Sequence, residues 1–474
     1  MNKPNLLYVF ADQWRRQAIG RAKADPVITP VMDRFAEESA EFKQAVSCTP
    51  LCSPHRAALL TGKYALSTGV YTNCKLGLDI MLSPTEKGIG VVLKEAGYNT
   101  GYIGKWHLDL PEQQAADNPP SGARHWDAYT PPGPKRQGFD QWYSYGAFDQ
   151  HFAPHYWQDS EQMIEIEQWS PEHETDKALA FLDQHSSRAA EQPFALFLSW
   201  NPPHSPFDQV PEKYKQLYAG LELEMRANVT ASDPLLIHTG EQVAGGKERL
   251  EEHTRNYFAA ISGLDEQFGR LLHHLQALGL HDNTIVVLTS DHGELLGSHG
   301  MMAKHSWHEE SVGVPFMLRW PQKVKPLVTD LPLNTVDIMP TLLGLCELPI
   351  PEAVQGENLS DLLVGDAERH DDRTVYLSAF PGRLEAIEAF RAAGLDNRRF
   401  GWRAVRNKRY AYVVNRGYFP GEPVQKLLYD LEKDPYQLSP LLLKEACEHP
   451  VALQLEAELA KYLKQSEDTF VLTD

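Results

Sequence analysis

Apolar and polar positions along the chain fall into two recurring kinds of segment. Continuous apolar runs occur at Asn5 to Ala11, Tyr98 to Gly104, Phe194 to Trp200 and Thr284 to Thr289. Runs without alternation are what a strand buried on both faces of a parallel sheet requires. Between them lie stretches of helical period. Val31 to Phe42 follows Thr29-Pro30, a helix-start signal, and Glu174 to His185 carries Leu179, Phe181 and Leu182 at helical spacing. Glu251 to Leu280 aligns Tyr257, Ile261, Leu264, Phe268, Leu271 and Leu275 on one stripe and stops at Gly279. Strands alternating with amphipathic helices predict an α/β fold, a large doubly wound and mostly parallel sheet flanked by helices.

The pattern changes near residue 365. Gly365 to Arg373 is polar and charged, Arg403 to Val414 is basic and strand-like, and Pro450 to Leu463 is a last amphipathic stretch. Two domains are expected: an α/β domain over 1–370, and a smaller C-terminal α+β subdomain over 371–474 with a small antiparallel sheet and a terminal helix. Residues 111–162 show no period and are dense in Pro, Gly and aromatics, the make-up of a long loop that is either functional or disordered.

Composition narrows the classes. The chain has 33 Pro and 32 Gly without a period and is 42% hydrophobic, which excludes collagen-like and largely disordered chains. Its formal charge of −19 has the wrong sign for a general nucleic-acid binder. No apolar run approaches the roughly 20 residues that cross a bilayer, so no membrane partner is expected. Five cysteines, an odd number without a CxxC pair, form neither a disulfide framework nor a structural zinc site, and Cys346 and Cys447 read as small buried residues. With no secretory segment at Met1 the expected location is cytoplasmic, or periplasmic or secreted for a chain relieved of a leader. A homo-oligomer is compatible with all of this.

Chemistry enters where polar residues follow the strands. Asp12 and Gln13 end the first run, Lys105 and His107 follow the second, His204 the third, and Asp291 and His292 the fourth. In an open α/β sheet these ends share one edge, where ligands bind. Two carboxylates with an amide oxygen suit a hard cation such as Ca²⁺ or Mg²⁺, and an imidazole extends the choice to Mn²⁺. Separately, Cys52 opens a segment, Cys52-Ser-Pro-His-Arg56-Ala-Ala-Leu-Leu, in which Pro54 signals a helix start. A helix N-terminus favours developing negative charge, which serves a nucleophile and not a structural cysteine.

Cys52-Ser-Pro-His-Arg56 resembles the Cys-x-Pro-x-Arg signature of formylglycine-dependent sulfatases of the alkaline phosphatase-like superfamily. Chance gives about 0.03 such matches in a chain of this composition. Leu60-Thr-Gly-Lys-Tyr64, Gly104-Lys-Trp-His-Leu108, Pro203-His204, Ser290-Asp-His-Gly-Glu294 and Leu428-Tyr-Asp-Leu-Glu-Lys-Asp-Pro435 resemble further motifs of that family in the same order. The resemblance spans nearly the whole chain. It implies that Cys52 is oxidised to formylglycine by a formylglycine-generating or maturase enzyme and then hydrated to a gem-diol that attacks a sulfate ester. It also implies a metal shell of Asp12, Gln13, Asp291, His292 and the converted Cys52. Lys105 and Lys304 would hold sulfate oxygens, Arg56 would support the diol, His204 would protonate the leaving alcohol, and His107 would act as the base that releases sulfate. Gln13 and His292 depart from the commoner Asp and Asn, which leaves a phosphonate monoester or phosphodiester hydrolase as the alternative. A non-catalytic glycan-binding protein is a remoter one.

The expected substrate is a sulfated small molecule or saccharide. Arg15, Arg16, Asn73, Lys75, His305 and His308 follow the motifs closely and are rim candidates. So are His151 and His155 within the aromatic segment, and Arg403 in a basic stretch that would reverse the negative background locally.

Overall fold

The structure is a computed structural model that describes residues 3–187, 192–229, 241–242, 246–365 and 373–473. Eight strands make the main sheet: β1 (Asn5–Asp12), β2 (Ala40–Val46), β3 (Asn99–Lys105), β4 (Gln141–Tyr145), β5 (Phe194–Pro203), β6 (Thr284–Ser290), β7 (Phe316–Arg319) and β8 (Leu327–Asn334). Their order is β8-β2-β7-β6-β1-β5-β3-β4. Every neighbouring pair is parallel except those of β7, which runs against β6 and β2.

The four apolar runs of the sequence are β1, β3, β5 and β6. All eight residues of β1 are buried, because the pleat sends Tyr8 and Phe10 into one core layer and Leu7 and Val9 into the other. Helix Gly246–Ala277 lays Ile261, Leu264, Phe268 and Leu271 on that second layer. Each such side chain contributes about 1.5–3 kcal/mol on burial.

Helix Ser170–Ser186 extends the expected one by a turn at its start. Pro30–Glu37 stops five residues short of the expected Phe42, and β2 begins at Ala40. There the ladder from Ala40 to Leu318 and from Glu41 to Met317 overrides helical propensity, and Ser39 turns its hydroxyl back onto the Phe35 carbonyl at 2.6 Å. The stretch without period contributes β4, an edge strand paired with β3.

A second sheet holds β9 (Val375–Ala379), β10 (Trp402–Arg406), β11 (Tyr410–Asn415), β12 (Gln425–Asp430) and β13 (Leu441–Leu443), all antiparallel in chain order. Helix Pro450–Gln465 covers it, with Leu455 and Leu459 against Tyr412 and Val414. The expected boundary at 370/371 lies outside the described residues. Cys346 is buried, whereas Cys447 is exposed in a single turn ahead of the last helix. Among the described residues no helix is long and apolar enough to cross a membrane.

The basic segment from Arg403 is an interior hairpin of this sheet, β10 and β11, and not a solvated edge. Arg403 is therefore no rim residue. It is buried, bonded to Asp468 at 2.5 Å, with its guanidinium 4.0 Å from the ring centre of Phe380 and 4.6 Å from that of Phe470. Arg406 crosses from the second sheet to Glu309 at 2.7 and 2.8 Å, and Arg16 reaches the same carboxylate. Burial would raise the pKa of Glu309, but the two guanidiniums overcome it and hold the group down at about 2, against an ordinary 4.5.

A carboxylate depressed by folding stabilises fully above its unfolded pKa and loses that contribution as pH falls toward the folded value. Wild type should therefore lose stability between about pH 5 and pH 2, in part through this group. Arg406→Ala, which leaves Glu309 buried with Arg16 as its remaining cation, should cost about 1.5–3 kcal/mol in urea unfolding at neutral pH. A loss no larger than that of a surface Arg→Ala control would contradict the clamp.

Candidate active site

Because β3, β5, β1 and β6 are parallel neighbours, their carboxyl ends converge on one edge. Asp12 closes β1 and Lys105 closes β3, His204 follows β5, and Asp291-His292 follows β6. Gln13 and His107, each just beyond a strand, take left-handed backbone with φ of 70° and 56°. Non-glycine residues in that region store strain and cluster at functional sites. Gly104, at φ 98°, must be glycine: a Cβ there would lie 2.0 Å from the Ser199 carbonyl oxygen on β5.

Cys52 is the first residue of helix Cys52–Thr61, and Pro54 is its third. Leu51 supplies no side-chain cap, and Asn73 Oδ1 accepts from the Ser53 amide at 3.1 Å instead. The helix ends at Gly62, whose φ of 65° and 2.8 Å bond to the Ala58 carbonyl account for the glycine of Leu60-Thr-Gly-Lys-Tyr64.

The Cys52 sulfur lies 3.3 Å from His292 Nε2 and 3.6 Å from Asp12 Oδ1. One donor atom from each of Asp12, Cys52, Asp291 and His292, all buried, lies within 4.8 Å of the others. His292 Nδ1 donates to the Gly293 carbonyl at 3.0 Å, so Nε2 turns its lone pair toward this group. Arg56 Nη2 spans Asp12 at 3.1 Å and Asp291 at 3.2 Å, and Lys105 Nζ meets Asp12 at 2.8 Å. Gln13 donates its amide to Glu294 and accepts from Lys304 Nζ, both at 2.5 Å. Lys304 also reaches His204 Nε2 at 3.1 Å.

Two buried carboxylates side by side cannot both stay charged without cations. Burial and the charge of Asp12 push Asp291 up to about 7. Asp12 resists burial because Lys105, with Arg56, holds it well below the usual carboxylate range. Burial and Asp12 push the Cys52 thiol up to about 12, so the thiol itself is no thiolate nucleophile at neutral pH. Burial holds His204 down at about 4 despite Asp149. Two carboxylate oxygens and an imidazole lone pair converging at this spacing fit a divalent ion, which would relieve the crowding of negative charge.

The structure brings together Asp12, Gln13, Cys52, Arg56, Lys105, His107, His204, Asp291, His292 and Lys304. His107 Nε2 bonds the Cys74 carbonyl at 3.2 Å, which leaves Nδ1 as a buried atom without a partner. The rim candidates divide. Lys75 is half-buried with its ammonium 5.7 Å from the Trp126 ring centre. His151 holds the His204 carbonyl at 3.0 Å from behind. Three others are elsewhere, and each is buried by a partner of its own. Arg15 pairs with Asp25 at 2.8 Å, His155 with Asp127 at 2.5 Å, and the His308 ring lies tilted against that of His299, centres 3.7 Å apart. Aromatics of 111–162 pack on one another, as Tyr156 does on Tyr143 and Tyr145, or on the neighbouring strand, as Trp142 does on Tyr102, and Trp126 is left exposed.

Three participants were not anticipated. Asp149 lies 3.5 Å from His204 Nδ1, Asn201 accepts from Lys105 at 3.1 Å, and Glu294 orients Gln13. Glu294 closes the Ser290–Glu294 motif and Asn201 lies two residues before Pro203-His204, whereas Asp149 stands in a stretch without any pattern.

Comparison with known proteins follows the geometry. Residues 4–348 match the Sulfatase family, and residues 297–465 match the family described as N-sulphoglucosamine sulphohydrolase, C-terminal. An endo-4-O-sulfatase of Bacteroides thetaiotaomicron is 37% identical across 98% of this chain and 92% of its own length. An ulvan-active sulfatase of Formosa agariphila is 34% identical across 100% of this chain and 83% of its own. A solved B. thetaiotaomicron structure, from work on the metabolism of multiple glycosaminoglycans, superposes with a TM-score of 0.85. It is 35% identical and is covered to 97%, against 98% of this chain.

The donor group makes a direct prediction. Dialysed protein should retain one tightly held divalent ion per chain by elemental analysis, and Asp291→Asn should weaken its affinity by more than the 10- to 100-fold or so typical of an outer-sphere change. Equal retention by both proteins would remove Asp291 from the shell.

Proposed function

The chain belongs to the sulfatase family, and from that membership we propose that it hydrolyses a sulfate ester on a sulfated saccharide and releases inorganic sulfate. The observation that carries this reading is the place of Cys52, at a helix N-terminus and within 3.6 Å of both Asp12 and His292. Its sulfur stands where the oxygens of a hydrated formylglycine would lie. The conversion of thiol to aldehyde needs an oxidant, so a separate maturation enzyme is its expected partner. Formylglycine supplies the attacking hydroxyl that the raised thiol cannot. Calcium is the ion proposed, since oxygen donors dominate the shell, and Mg²⁺ or Mn²⁺ would be recognised by the same metal analysis. When bound, the ion polarises sulfate oxygens and lowers the pKa of the diol.

The chain's own residues do the rest. Lys105 and Lys304, fixed by Asp12 and Gln13, present ammonium groups to sulfate oxygens and to the charge that builds in the transition state. Arg56 keeps the first turn of its helix against both carboxylates. His204 donates Nδ1–H to the Ser205 carbonyl at 2.7 Å, so Nε2 is the atom that would carry a proton to the departing oxygen. An anion seated against the two lysines cancels charge that now keeps His204 neutral, and so favours that proton. His107, with Nε2–H on a carbonyl, offers the bare Nδ1 as a base for releasing sulfate. A saccharide is favoured by the two relatives named above and by the exposed indole of Trp126, whose ring is 6.3 Å from that of His107 at 27°.

Protein matured with its formylglycine-forming partner should release sulfate from a panel of sulfated saccharides, and Cys52→Ala should not. Turnover of phosphodiesters or aryl sulfates alone would refute the saccharide reading. His204→Ala should lower kcat about 10²–10⁴-fold on a sugar sulfate and far less on a nitrophenyl sulfate, because a phenolate leaves without a proton. Equal losses on both would exclude His204 as the acid.

A further inference from the structure

Asp149, just past the edge strand β4, stands on the Nδ1 side of the His204 imidazole. Its Oδ1 lies 3.5 Å from His204 Nδ1 and 3.9 Å from Lys105 Nζ, and accepts from Asn201 Nδ2 at 3.1 Å. The carboxylate is exposed, yet the loop that carries it is fastened on both sides. Ahead of it, the Gly146 amide donates to Asp127 Oδ1 at 2.6 Å, and the other oxygen of Asp127 meets His155 at 2.5 Å. The Phe148 ring lies 4.7 Å from the Arg124 guanidinium and 5.0 Å from the ring of His155. Behind it, the His151 amide donates to Gln209 Oε1 and the His151 carbonyl accepts from the Ser170 amide, both at 2.7 Å. His155, buried away from the cleft, thus helps fix the segment that brings Asp149 to His204. A charge held this way needs no reorganisation when the reaction begins.

The ring of His204 is itself held by backbone. Its amide donates to the Asn201 carbonyl at 3.1 Å and Nδ1–H to the Ser205 carbonyl at 2.7 Å. Orientation therefore comes without Asp149, and what Asp149 adds is charge. The groups facing the ring divide by sign. Lys304, 3.1 Å from Nε2, and Lys105 disfavour an imidazolium, whereas Asp149 and then Asp12 favour it. His292 faces it from the metal group and is held neutral by burial. Asp12 is already committed to Arg56, Lys105 and the metal group, so Asp149 is the carboxylate left to serve His204.

We propose that Asp149 is a positioning residue for proton donation, supplying the negative charge that keeps a proton on His204 until the sulfate ester breaks. This rests on the proposed function for its reaction. As the ester breaks, the electron pair of the S–O bond passes to the sugar oxygen, which takes the Nε2 proton. Sulfur bonds to the attacking oxygen, already deprotonated, and His204 is left neutral beside an unchanged Asp149.

The test compares matured full-length wild type with Asp149→Asn, which keeps the shape of the side chain and removes its charge. On a sugar sulfate kcat should fall about tenfold or more while KM stays within twofold or so. On nitrophenyl sulfate the loss should stay below about twofold, because a phenolate leaves without a proton. His204 must be protonated to act, and without the carboxylate that form is less favoured. The alkaline limb of the sugar-sulfate kcat profile should therefore move to lower pH by about one unit. Equal losses on both substrates or an unmoved limb would make Asp149 merely structural, and a rise in KM alone would make it a substrate contact. Either result overturns the proposal. Asp149→Ser takes the place of the amide should Asp149→Asn fail to fold. A second reading needs no turnover: the NMR titration of His204 in histidine-labelled Cys52→Ala protein supplied with calcium, assigned by its loss in His204→Gln. Adding Asp149→Asn should lower that titration by about one unit, and an unshifted one also overturns the proposal. Absence of sulfate release by matured wild type would refute the proposed function by itself, while the titration still decides whether Asp149 serves His204.

Discussion

Asp12 and Asp291 end adjacent parallel strands in the dry interior of the sheet edge, and the guanidinium of Arg56 touches both, at 3.1 and 3.2 Å. Without that cation and Lys105 the two carboxylates would repel each other where water cannot screen them. Arg56 lies four residues after Cys52, one turn of helix, so the same ion pairs that neutralise the carboxylates also fix the helix start beside them. The Cys-x-Pro-x-Arg spacing is thus one helical turn used as a ruler between Cys52 and its electrostatic anchor.

The sheet makes this anchor possible. Parallel order sends every strand's carboxyl end to one side, so loops from four remote parts of the chain arrive at one point without any long excursion. Strain at Gln13 and His107 and the close approach at Gly104 are the local costs of turning sharply off those ends. The second sheet is fastened by the buried Glu309–Arg406 pair and supplies the grip on the His305 carbonyl, while the central cluster is built from strand ends of the first sheet and the start of the Cys52 helix.

Much of this was legible in the residues. Asn5 to Ala11 and Thr284 to Thr289 read as buried strands because both faces of a parallel sheet demand apolar side chains. The polar residues after them were legible as a site because each apolar run stops at a pair able to bind or react, Asp12-Gln13 and Asp291-His292, where the strand ends. Ala40–Val46 was not legible, since its mixed pattern is stabilised by the ladder to β7 and β8 more than by its own composition. The basic segment misled for a related reason. Arg403 and Arg406 are charged yet buried, because carboxylates from distant segments and aromatic rings meet them there.

From the sequence by itself followed the α/β architecture, the convergence of strand ends and the kind of chemistry offered there, since periodicity and short-range spacing are local properties of the chain. Tertiary structure alone decided which cations are consumed in ion pairs, as Arg15 is by Asp25, and which of the described ones make none, as Lys75 beside Trp126. It also decided that Asp149, from a segment with no pattern, joins His204. Pairing between charges is a matter of distance in space, and residues far apart along the chain carry no local record of it.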